Sequence, residues 1–91
     1  MAQTVAQVLT SATDSVTVIT DINTKGSNSI HVSEGATQAE INTRVQQQVD
    51  HLGIILAYDG TNNKPNVAGD SADKSSYTGA ITTGNAYIAA H

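Results

Sequence analysis

No cysteine, phenylalanine or tryptophan occurs in this 91-residue chain, and that absence bounds its fold more tightly than any motif in it. Without thiols there is neither a disulfide framework nor a thiolate metal site. Without Phe or Trp, core volume must come from Val, Ile, Leu and Ala, with three Tyr as the aromatic bulk. Aliphatic side chains bury less surface each than aromatic ones. The length allows one domain, 1–91, and short domains bury a smaller share of their surface than long ones. Disulfides, metals and partner chains are the usual supports for such a domain. With the first excluded, association with partner chains is the expected support.

Charge is sparse. Lys25, Arg44, Lys64 and Lys74 are the only Lys or Arg, and the formal net charge is −4. Binding to phosphates needs clustered Lys and Arg, so nucleic acid is excluded as a partner. A basic membrane-surface helix is excluded for the same reason. Polarity comes instead from Ser, Thr, Asn and Gln, which suit turns, strand faces and hydrogen-bonded contact surfaces. Met1 to Val8 shows neither the basic nor the apolar part of a signal peptide. The longest apolar run, Ile54 to Ala57, is far too short to span a bilayer. The expected location is a cytoplasm, or a particle assembled there.

The best-specified element begins at Thr37. Thr37-Gln38-Ala39-Glu40 forms a capping box, in which Thr37 and Glu40 each bond the other's backbone N–H. Ile41, Val45, Val49 and Leu52 then recur at steps of four, four and three, one apolar stripe of an amphipathic helix. Gly53 is a natural helix stop, so a helix is predicted from about Gln38 to Leu52. Upstream, Ala2 to Ala12 carries Val5, Val8, Leu9 and Ala12 at helical spacing, with a strand or extended arm as the alternative. Ser15 to Asn23 is rich in β-branched residues, and Val16, Val18, Thr20 and Ile22 alternate onto one face, which predicts a strand. Thr24 to Asn28 reads as a turn, and Ser29 to Ser33 as the return strand of a hairpin.

Downstream, Gly53 to Tyr58 is a short continuous apolar run suited to a buried central strand. Asp59 to Asn66 is a loop by composition, and Val67 to Ser76 is weakly patterned. Tyr77 to Ala90 alternates modestly through Ala80-Ile81-Thr82 and Ala86-Tyr87-Ile88, broken by Gly79 and Gly84, which predicts one or two strands at a sheet edge. The expected fold is therefore α+β: a β-hairpin, one amphipathic helix on a small, mostly antiparallel sheet, and a β-rich C-terminal segment. Residues 1–58 form the core of this reading, and 59–91 a loop with a β-rich segment or arm.

Chemistry-bearing residues are few. His31, His51 and His91 lack the mutual spacing of a zinc site. Gly26-Ser27-Asn28-Ser29 lacks the second glycine of a nucleophile elbow. Asp59-Gly60 with Asn62 and Asn63, and Asp70 with Asp73, resemble oxygen-rich cation loops but lack the EF-hand order. Plain turn chemistry accounts for them. Gly79 to Gly84 has no phosphate-loop Lys, and its glycines mark bends or close backbone approach. No cofactor is implied and no metal ligand set is assigned.

The chain resembles in kind the small accessory proteins of bacteriophage virions, the capsid decoration or cement proteins and small tail components. The resemblance rests on a short Cys-free chain, sparse charge, abundant Ser, Thr, Asn, Gly and Ala, and a helix flanked by β-rich segments. It implies a symmetric assembly within a virion, put together in a host cytoplasm, whose subunits share sheets and arms. The leading expectation is a non-enzymatic structural subunit whose partners are copies of itself or a larger structural protein such as a capsid protein. Its expected interface anchors are Tyr77, Ile81, Tyr87 and Ile88, then Val5, Val8 and Leu9. A second reading is a small acidic binding module that inhibits or adapts a host protein through Gln46 to Asp50. A third is a small enzyme with His31 or His51 as general base.

Overall fold

The computed structural model describes residues 3–91; Ala2, where the first predicted segment begins, lies outside them. The chain forms three α-helices, α1 over Val5–Lys25, α2 over Gln38–Leu56 and α3 over Ser75–Ala90, with a 3-10 turn at Gly26–Asn28. Among the described residues there is no strand. The expected α+β architecture is thus corrected to an all-helical bundle.

Each correction has a local cause. The stretch read as a strand, Ser15 to Asn23, is the second half of α1. Its burial follows a helical stripe of Val8, Leu9, Ala12, Ser15, Val18, Ile19 and Ile22. Alternation put Val16, Val18, Thr20 and Ile22 on one face, yet Thr20 is exposed and Val16 only half-buried. β-Branched residues are tolerated here because the threonine hydroxyls bond back along the helix. Thr13 donates to the Leu9 carbonyl at 3.1 Å, Thr17 to Thr13 at 3.1 Å and Thr20 to Val16 at 2.8 Å, so each hydroxyl is satisfied without leaving the helix. A capping box opens α1: Gln7 N–H donates to Thr4 Oγ1 at 3.1 Å and Thr4 N–H to Gln7 Oε1 at 2.8 Å. The return strand at Ser29 to Ser33 is instead part of the loop between α1 and α2.

α2 starts where its capping box predicts, with Glu40 N–H on Thr37 Oγ1 at 3.2 Å and Thr37 N–H on Glu40 Oε1 at 2.9 Å. It does not stop at Gly53. Ile55 extends the stripe of Ile41, Val45, Val49 and Leu52 by one more step of three and is buried with them. The predicted central strand is therefore the last turn of α2. The C-terminal edge strands are α3, whose inner face is Ala80, Gly84 and Tyr87, with Tyr77 half-buried one turn earlier.

Contacts between helices give the topology. Ser15 meets Gln48 across α1 and α2. Gly84 of α3 sits against Val45 and Val49 of α2 and Ile19 of α1. Gln38 at the start of α2 meets Tyr87 near the end of α3, and Tyr77 at the start of α3 meets Leu9 early in α1. Hence α2 runs antiparallel to both neighbours and α1 runs parallel to α3, an up-down-up bundle. The parallel return is carried by the segment 57–74. It is pinned by Val67, which is fully buried, and by an Ala68 N–H to Tyr58 carbonyl bond of 2.9 Å. The C-terminal third therefore does not form an extended arm; it closes the core.

Candidate functional site

The seven expected interface anchors are brought together, but inside the molecule. Val8, Leu9 and Tyr87 are buried in the core, and Val5, Tyr77, Ile81 and Ile88 pack against it half-exposed. Two of the tyrosines also tie helices together. Tyr77 OH donates to the Leu9 carbonyl at 3.0 Å, and Tyr87 OH accepts from Gln38 Nε2 at 3.0 Å. A third tether, Ser15 Oγ to Gln48 Oε1 at 2.8 Å, joins α1 to α2. Each pair of helices is thus tied by at least one side-chain hydrogen bond, and α1 with α3 by a second, Thr13 Oγ1 to Tyr77 OH at 3.5 Å. A buried hydroxyl finds its partner across the interface rather than in water.

Gln46 to Asp50, the contact of the binding-module reading, divides between surface and core. Gln46 Nε2 donates to Asp50 Oδ1 at 2.8 Å along the exposed face, while Gln48 turns inward to Ser15. His51 is exposed on α2. His91 closes α3: its Nδ1 lies 2.8 Å from the Tyr87 carbonyl and its ring stacks on Tyr87 at 4.1 Å. Among the described residues, no three His, Asp or Glu side chains cluster as a metal site. The two acidic loops are turns. Asp59 Oδ1 accepts from Thr61 Oγ1 at 2.6 Å, and Asp70 Oδ2 from Ala72 N–H at 2.9 Å.

A polar hub sits where α1 ends, and the sequence reading missed it. Ser29 is buried; its Oγ donates to Asp21 Oδ2 at 2.6 Å and accepts from His31 N–H at 3.1 Å. Lys25 Nζ lies 3.0 Å from Asp21 Oδ1. The Ser29 hydrogen bond, followed by that of Lys25, holds the Asp21 carboxyl below the ordinary value of 3.8. A carboxylate lowered on folding stabilises the fold in full above its unfolded value. That contribution is lost as the pH falls below 3.8 toward the folded value. Thermal melts from neutral to strongly acidic pH will therefore show Ser29→Ala losing less stability to acid than the parent. At neutral pH the variant will already be weaker by about 1–2 kcal/mol, the worth of the bonds to a buried hydroxyl. An acid limb identical in both proteins would show that Ser29 does not set the Asp21 proton affinity.

The hub anchors the loop that carries His31, and this loop and the first half of α2 border an open groove of about 690 Å³. Glu34, Ala36, Ile41 and Arg44 line it together with His31. His31 is half-buried at its edge, with no other His beside it. Glu40 is committed to its cap, and the backbone N–H of Thr37 leads in holding its carboxyl below the ordinary range. Ile30, the residue before His31, is 85% exposed. Nothing in the periodicity pointed to this groove, because it depends on the path of an irregular loop.

α3 presents a different surface. Its 16 residues include no charged side chain. Its outward face carries Ser75, Thr78, Gly79, Thr82, Asn85, Ala86 and Ala89, all exposed. Among the described residues no helix is long and apolar enough to cross a membrane. Compared with protein-family models, curated proteins and solved structures, the chain matches none.

Proposed function

We propose that the chain is a non-enzymatic assembly subunit that works by protein–protein contact through the outer face of α3, as an accessory component of a larger structure such as a virion shell. The observation that carries this reading is the chemistry of that face. An exposed helix ordinarily bears Lys, Arg, Glu or Asp, which keep it solvated and apart from other proteins. Here nothing on the outward side is larger than Asn or Thr. Small side chains let a second helix approach closely, since interaxial distance is set by the residues at the contact. Uncharged hydroxyls and amides lose less on desolvation than charges do.

The resemblance to phage accessory proteins supports this reading only in part. Its β-rich flanks fall with the strands, and with them the shared sheets and arms. Composition and sparse charge are what it still rests on.

The test is light scattering coupled to size exclusion on the full chain and on Thr82→Arg with Ala86→Arg. Both positions are exposed and Arg is a good helix former, so melting temperature will stay within a few degrees. The double variant is expected to lose the higher-order species formed by the parent. Equal assembly in both proteins would remove the α3 face from the reading.

A further inference from the structure

We propose that the Asp59–Gly60 bond is a self-modification site of this chain, where Asp59 isomerises to isoaspartate through a cyclic imide, and that the Thr61 hydroxyl restrains the reaction. The proposal is independent of the assembly reading and concerns the segment that joins α2 to α3. Ring closure needs the backbone nitrogen that follows an aspartate to reach that aspartate's Cγ. A side chain on the following residue crowds this approach, and a helix ties up the N–H. Asp59 alone among the six aspartates is followed by glycine. Asp14, Asp21 and Asp50 lie within helices. Asp59 and Gly60 are both exposed, and no backbone carbonyl takes the Gly60 N–H. The φ of Gly60 is 88°, a conformation that glycine adopts at no steric cost. The turn thus selects the one residue that leaves the nitrogen open.

The chemistry needs only water. The Gly60 nitrogen loses its proton and bonds to Asp59 Cγ, while the carboxyl of Asp59, in its acid form, releases its hydroxyl as water. Water then adds to one of the two ring carbonyls. Addition at Cγ restores Asp59. Addition at the α-carbonyl leaves Gly60 joined through the Asp59 side chain, with the α-carboxyl free. Thr61 opposes the first step. Its Oγ1 donates to Asp59 Oδ1 at 2.6 Å and its N–H to the same oxygen at 3.2 Å. Both bonds favour the carboxylate over the acid that must lose water, and the hydroxyl leads in holding Asp59 below 3.8. The isomer carries one extra backbone atom. That atom falls inside the loop closed by the Ala68 N–H to Tyr58 carbonyl bond, so the helices keep their packing.

Ageing the full chain at mildly acidic pH, followed by peptide mapping with fragmentation that distinguishes isoaspartate, tests the proposal. Isoaspartate is expected at position 59 before it appears at any other aspartate. Thr61→Val keeps the side chain's size and removes the hydroxyl, and it is expected to raise the rate several-fold. Thr61→Ser restores the hydroxyl and is expected to stay near the parent. Circular dichroism on the aged samples is expected to show unchanged helix content. Isoaspartate appearing first elsewhere would overturn the site, as would none at 59 by the time the urea-unfolded chain has formed it there. A Thr61→Val rate equal to the parent's, or a Thr61→Ser rate equal to that of an accelerated Thr61→Val, would remove the hydroxyl's restraint.

Discussion

Ile19→Ala will destabilise the protein by about 2–5 kcal/mol, the range for truncating a buried Ile in a close-packed core, while Thr20→Ala will change stability by less than about 0.5 kcal/mol. Ile19 has no exposed surface and packs where all three helices converge, within reach of Gly84. Thr20 is exposed and bonds only carbonyls of its own helix. A strand at this position would reverse the order, burying Thr20 with Val18 and Ile22 and turning Ile19 to the opposite face. A domain of this size is worth roughly 5–14 kcal/mol in total, so the Ile19 loss alone takes a large part of it. The melting temperature should fall by roughly 8–40 °C, at about 4–8 °C per kcal/mol for a small domain. Thermal denaturation of the two variants side by side checks the helical register of α1. Equal melting temperatures would refute it.

Gly84→Ala will destabilise by about 1–3 kcal/mol through overpacking, whereas Gly79→Ala on the same helix will stabilise by about 0.5–1 kcal/mol. A Cβ at Gly84 would stand 2.5 Å from Val49 Cγ2 and 3.3 Å from Val45 Cγ1. Neither valine can swing away, because β-branched side chains have one strongly preferred rotamer in a helix. α3 must then shift off α2, loosening the Gln38–Tyr87 tether as it goes. At Gly79 an added Cβ meets nothing within 4 Å, so only the gain in helix propensity remains. Chemical denaturation of both variants measures the contrast, and a Gly84→Ala protein as stable as the parent would show that the helices are further apart at this point.

The part of the fold that could be read from residues is the part where two signals agree. At Thr37 a capping box and an apolar stripe point to the same helix, and its start is where they put it. In α1 the signals conflict. The stripe of Val8, Ala12, Ser15, Ile19 and Ile22 continues unbroken, but β-branched Val, Ile and Thr argue locally for a strand. Propensity is the weaker of the two once a helix has a core to pack against. In α3 the reading failed because glycine and threonine are poor helix formers, while the steps of Tyr77, Ala80, Gly84 and Tyr87 were hidden by small residues that do not look like a core. Gly79 and Gly84 read as bends or close backbone approach in a β segment; in the helix, close approach occurs at Gly84, and nothing stands within 4 Å of a Cβ at Gly79. The seven residues expected as interface anchors pack within the chain, Val8, Leu9 and Tyr87 in the core and the other four against it; composition alone does not say whether apolar residues pack within the chain or between chains. The Asp21–Ser29 hub and the groove were illegible, since both depend on a loop fold with no periodic signal.

α1 and α2 each open with a reciprocal capping box, whereas α3 opens with a single side-chain bond, from Ser75 N–H to Asp73 Oδ1 at 2.9 Å. With two glycines and a run of Ser, Thr and Asn, α3 has little tendency to be helical by itself. Its stability as a helix is expected to depend on the docking of Ala80, Gly84 and Tyr87. α3 is therefore expected to be the first of the three helices to detach in partial unfolding. Any protein that grips the outer side of α3 also holds the inner side in place, so recognition and the integrity of the bundle draw on the same equilibrium.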